Sequence, residues 1–81
     1  MDIRQKEEGV VVMPLTLAAV GEENMILRIG GKPEVKKHLE DLGFVSGGTV
    51  TVISAIGGNL IVSVKESRVA ISREMAGKIM V

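Results

Sequence analysis

The chain has 81 residues, with ten Lys+Arg against ten Asp+Glu, one His, no Cys and a single aromatic residue, Phe44. That length fits one small domain with little surface to bury, and balanced charge with one aromatic argues against a nucleic-acid module. Without Cys there is no disulfide framework, thiolate metal site or thiol nucleophile, so the 46% of hydrophobic residues, nearly all aliphatic, must hold the fold.

Residues 1–8 mix both signs of charge and show no periodicity. Residues 1–12 are therefore read as a flexible tail and 13–81 as one domain. Mixed charge does not make a signal-peptide start, and the apolar run 10–20 is too short to span a bilayer, so no membrane insertion and a cytoplasmic location are expected. Val10, Val11 and Val12 could instead add an edge strand. Thr16 is placed to cap a helical turn over 17–20 that ends at Gly21. A strand over 25–29 should stop at Gly30-Gly31.

The clearest helix spans about 33–43. Pro33 suits its first position and Gly43 the left-handed residue after its end. Val35, Leu39 and Leu42 form one apolar stripe, opposite Lys36, Lys37, Glu40 and Asp41. The period then changes to two. Residues 49–56 and 60–65 read as strands around Gly57-Gly58-Asn59, with Leu60, Val62 and Val64 facing inward. Glu66-Ser67 should turn into a strand over 68–71. Ser72 is a suitable N-cap for a short turn over 73–76 stopped by Gly77, and 79–81 can close as a last strand. The expected fold is mostly β: a small barrel of five or six short strands with one α-helix inserted after the first.

Few groups suggest chemistry. Gly30-Gly31-Lys32 precedes a helix, but a phosphate loop would need Gly where Ile26 sits and Ser or Thr where Pro33 sits, so a turn is the better reading. His38 lies beside the apolar stripe and reads as a boundary histidine; the alternative is a metal site with Glu34 or Asp41. Met13, Met25, Met75 and Met80 read as core fillers. Five serines share His38 as their one imidazole, with no nucleophile–base spacing, so neither enzyme nor cofactor is expected. Gly47-Gly48 and Gly57-Gly58 read as loop chemistry whose functional counterpart is a partner-binding rim.

The order of these signals resembles the FeoA family, small cytosolic components of bacterial ferrous-iron uptake. It rests on Met13-Pro14-Leu15-Thr16-Leu17-Ala18, Ile29-Gly30-Gly31, and Leu39-Glu40-Asp41-Leu42-Gly43-Phe44-Val45-Ser46-Gly47. It continues through Gly57-Gly58-Asn59-Leu60-Ile61-Val62 and the closing Val69 to Val81. Three positions depart from the family's usual pattern: His38 stands where Arg is usual, Asn59 where Pro is usual, and Glu66-Ser67 where Gly is common. The resemblance implies an SH3-like barrel that assists or regulates the FeoB-type membrane G-protein transporter by protein contact. The same barrel occurs in iron-dependent repressors, so a related regulatory domain, or an Fe(II)-binding or sensing module, is the alternative. The expected contact residues are Leu42, Gly43, Phe44, Val45 and Gly47, with Gly57 and Gly58 on the rim. Phe44 itself reads first as a core residue plugging the barrel end, the alternative being a partly exposed partner anchor. A weak Fe(II) contact would fall to His38, Glu34 and Asp41.

Overall fold

A computed structural model describes residues 12–81. The expected tail therefore lies outside the described residues except for Val12, which is exposed.

The chain enters through Pro14, whose φ of −68° starts a 3-10 turn over Leu15–Leu17. Leu17 and Ala18 donate backbone hydrogen bonds back to Pro14 and Leu15 at 3.0 Å. This corrects the turn expected over 17–20. Thr16 lies inside the turn rather than capping it, because proline presets the backbone two residues earlier. Leu15 is driven into the core while Leu17 faces out.

The single strand expected over 25–29 is two short ones, β1 (Glu23–Met25) and β2 (Arg28–Ile29), bent at Ile26-Leu27. Each half has a different partner: β1 runs antiparallel to β3 (Thr49–Ile56), and β2 antiparallel to β6 (Ile79–Met80). The bend is where the chain leaves one sheet for the other. Ile26 is buried at that corner. Strands β3, β4 (Asn59–Val64) and β5 (Ser67–Ser72) complete a four-stranded sheet in the order β1-β3-β4-β5. β6 stands between β2 and the incoming chain, with Pro14 bridged to Met80 and Met13 exchanging backbone bonds with Val81 at 2.8 and 3.0 Å. The two sheets make the expected SH3-like, barrel-like fold, though they do not close into one continuous sheet.

Helix α1 (Pro33–Asp41) follows β2, with Pro33 in its first turn. Its end is a Schellman motif: Gly43 donates to Glu40 and Phe44 to Leu39, both at 3.0 Å, with Gly43 at φ +112°. That geometry brings Leu39 and Phe44 together, the apolar contact that usually accompanies the motif. Both are fully buried. Near the start of α1 the side chain of Lys78 passes over Gly31, and at its end the stem of Lys65 passes over Gly43. The helix thus reaches from the entrance of β6 to the far end of β4. α2 (Arg73–Ala76) is short, and the hydroxyl of Ser72 accepts its capping bond from Met75 at 3.1 Å.

Strand alternation follows the expected pattern. Leu60, Val62 and Val64 are buried on β4, facing Val50 and Val52 of β3 and Ile71 of β5. Two turns differ from their expected positions by a residue. The β3–β4 loop is Gly57-Gly58 alone, with Ile56 paired to Asn59, and φ is positive only at Gly57. The β4–β5 turn is Lys65-Glu66 rather than Glu66-Ser67, since Val64 pairs with Ser67. Both residues of this turn have positive φ, +48° and +65°, and neither is glycine. Left-handed backbone costs an L-residue roughly 1–2 kcal/mol, and glycine returns part of that gain as unfolded-state entropy. Glu66→Gly is therefore expected to stabilise the domain by about 1 kcal/mol, read as a rise of about 5 °C in melting temperature.

Candidate partner-contact surface

The loop after α1 is built by its glycines. Gly48 donates to the carbonyl of Val45 at 3.0 Å, and Gly47 between them has φ +88°, as the third residue of a type II turn requires. The turn is then tied to the β1–β2 corner: Gly47 donates to Ile26 and Ile26 to Gly48, each at 2.8 Å. A side chain on Gly48 would sit 3.2 Å from the Val45 oxygen, so this corner has little room. The loop is a pinned turn.

Within it, Leu42 and Val45 are half-buried and Gly47 is exposed. Phe44 is 0% exposed, which agrees with its core reading and not with the surface-anchor alternative. Its position after Gly43 points the ring into the core, where it meets Leu39, and it offers a partner nothing to touch. Gly57 and Gly58 are exposed at the β3–β4 tip, but they do not join Leu42–Gly47. Gly43 packs near Val64 and Lys65 at one end of β4, while Gly58 precedes its other end. Six strand residues at ~3.3 Å each set those ends about 20 Å apart. Gly58 instead accepts a backbone bond from Arg73 at 2.8 Å, which fixes the hairpin tip beside α2.

Glu34, His38 and Asp41 are exposed along α1. Seven residues at ~1.5 Å rise separate Glu34 from Asp41 by about 10 Å along the axis, so an ion at His38 would take one of the two carboxylates and not both. Among the described residues no three His, Cys, Asp or Glu side chains are grouped to hold a metal. No described helix is long and apolar enough to cross a membrane.

The surface feature that loop chemistry did not indicate is aliphatic. Leu17, Val20, Met25 and Ile56 are 69, 63, 57 and 65% exposed. Met25 was expected in the core; it lies opposite Thr49 on the outward side of edge strand β1, while Met13 and Met75 do pack against the core. The signal for Ile56 was available in the sequence, since an isoleucine directly before Gly-Gly at a hairpin tip has little core to enter.

Comparison with known proteins gives these features a context. The putative Fe(2+) transport protein A of Methanocaldococcus jannaschii is 37% identical over 68 residues, covering 84% of this chain and 83% of that protein. The crystal structure of an iron uptake regulatory protein, FeoA, matches with a TM-score of 0.79 at 28% identity, over 86% of this chain and 95% of that one. A manganese-dependent transcriptional repressor also matches at 0.79, but at 18% identity and over 40% of its own length; that likeness is one of fold. The FeoA domain family matches residues 13–81, and the chain belongs to that family.

Proposed function

We propose that this protein is a non-enzymatic accessory of ferrous-iron uptake, acting in the cytoplasm by contact with an FeoB-type membrane transporter. The observation that carries the reading is the similarity of the domain along its length to an Fe(2+) transport protein. Leu17, Val20, Met25 and Ile56, each more than half exposed, are aliphatic side chains available for such a contact. The turn at Leu42, Gly43, Val45 and Gly47 and the tip at Gly57-Gly58 are rigidly placed features that a partner could meet. Phe44 supports the first from beneath.

The test is retention of the full chain by the cognate transporter, reconstituted in nanodiscs, without nucleotide, with GDP and with a non-hydrolysable GTP analogue. Saturable retention in at least one state is expected. Absence of retention in all three overturns the reading.

A further inference from the structure

The four-stranded sheet has two edges, and they differ. β1 is three residues long and carries Glu23, a short charged edge that discourages further pairing. β5 is six residues long, with no proline, glycine or bulge along its pairing with β4. Its hydrogen-bond phase is fixed from just beyond its end. Arg73 donates to Gly58 at 2.8 Å, so every second residue back from there bonds to β4: Ile71, Val69 and Ser67. Arg68, Ala70 and Ser72 aim their N–H groups the other way. Among the described residues, those three N–H groups meet no backbone carbonyl.

Their side chains share the outer face, opposite to buried Ile71, and fall in rows across the sheet. The row through Ala70 continues to Ile61 and Ser54, on the tip side of the bulge that shifts the register between Val52 and Ser54. The row through Arg68 continues to Ser63 and Thr51, and the row through Ser72 to Asn59 and Ile56. Arg68, Ala70 and Asn59 are exposed.

We infer that β5 pairs with β5 of a second copy, antiparallel about a two-fold axis at Ala70. The rows select this occupant, because a two-fold contact requires a surface complementary to itself. With Ala70 opposite Ala70 of the second copy, Arg68 stands opposite Ser72 and Ser72 opposite Arg68. All three outward positions pair at once. Arg68, the one charge on β5, then lies in line with Ser72 and Asn59 of the second copy, whose side-chain oxygens accept its hydrogen bonds. The middle row becomes Ile61, Ala70, Ala70, Ile61, apolar without interruption across the axis. Other registers lose this match. Moving the axis two residues toward the β4–β5 turn would set Arg68 against itself. A one-residue slip would oppose Ala70 to Val69, whose N–H is already bonded to β4. Three paired positions make a contact well below the standard interface size, so the dimer is a weak one.

Sedimentation equilibrium and amide hydrogen exchange of the full chain test this between about 10 μM and 1 mM, the range of weak association. The parent is expected to pass from monomer toward dimer over that range, with exchange at Arg68 and Ala70 slowing in step. Ala70→Glu and Ala70→Lys each set like charges opposite one another at an exposed position. Each alone should associate about fivefold more weakly, with its melting temperature in dilute solution unchanged. An equimolar mixture of the two should recover the parent's association, because Glu then meets Lys across the axis. Lys36→Glu, on α1, should behave as the parent. A parent that stays monomeric throughout overturns the inference, as does a dimer that the single variants leave intact or that the mixture fails to restore. A monomeric parent whose retention by the reconstituted transporter falls with Ala70→Glu would give the β5 edge to the transporter, and overturns the inference too.

Discussion

Phe44→Ala is expected to remove a large share of the domain's stability, about 3–5 kcal/mol. The ring is fully buried, and removing a buried phenylalanine costs about 3–5 kcal/mol in lost transfer energy and cavity formation. Against this, a chain of this size has a total stability of roughly 4–12 kcal/mol, at 0.05–0.15 kcal/mol per residue. No neighbouring aromatic can slide into the space, because Phe44 is the only one in the sequence. The backbone bond from Phe44 to Leu39 survives the substitution, so the loss reports on the side chain. Phe44→Leu, which refills much of the volume, should cost far less, about 1–2 kcal/mol. Urea unfolding followed by circular dichroism gives both values. A Phe44→Ala protein that keeps parental stability but no longer binds the transporter would show that the ring is an interface anchor after all.

The helix that leads to Phe44 was legible because its signals are local. Pro33, the Val35–Leu39–Leu42 stripe and Gly43 each act within a few residues, and their combined reading needs no knowledge of the rest of the fold. The same holds for Ser72 and the inward-facing Leu60, Val62 and Val64. What was misplaced depends on pairing between distant segments. The break at Ile26-Leu27 arises because β1 and β2 serve different partners, Thr49–Ile56 and Ile79–Met80, and nothing in residues 25–29 encodes that division. Lys65-Glu66 has no turn residue to announce it; the Val64–Ser67 register imposes the left-handed backbone. In the contact surface, Leu42–Gly47 and Gly57-Gly58 look alike as glycine loops, and only the length of β4 shows that they sit at opposite ends. The outward isoleucines were hidden for a related reason. A bulge shifts the period of β3 by one residue, so a run of β-branched residues reads as uniformly strand-like whichever face it presents.

Ile79→Ala tests whether the two sheets behave as one cooperative unit. Ile79 is fully buried and opposite Ile29, and its strand is the link between the start of the chain and β2. Leu27 donates to Met80, Gly30 to Lys78, and Met13 and Val81 bond reciprocally, all at 2.7–3.0 Å. Shortening the side chain should cost about 2–5 kcal/mol. If the four-stranded sheet could stand without β6, that cost would appear only as local opening. The core argues otherwise, because Ile79, Ile29 and Val81 belong to the same buried cluster as Val50, Val62 and Ile71. Opening the smaller sheet would therefore expose the inner face of the larger one. In native-state hydrogen exchange, the amides of Met13, Leu27 and Val81 are expected to lose protection by the same free energy as the most protected amides of β3 and β4. Unchanged protection on β3 and β4, with exchange accelerated only around β6, would mean that the second sheet frays independently and that the β3–β5 sheet carries the stability alone.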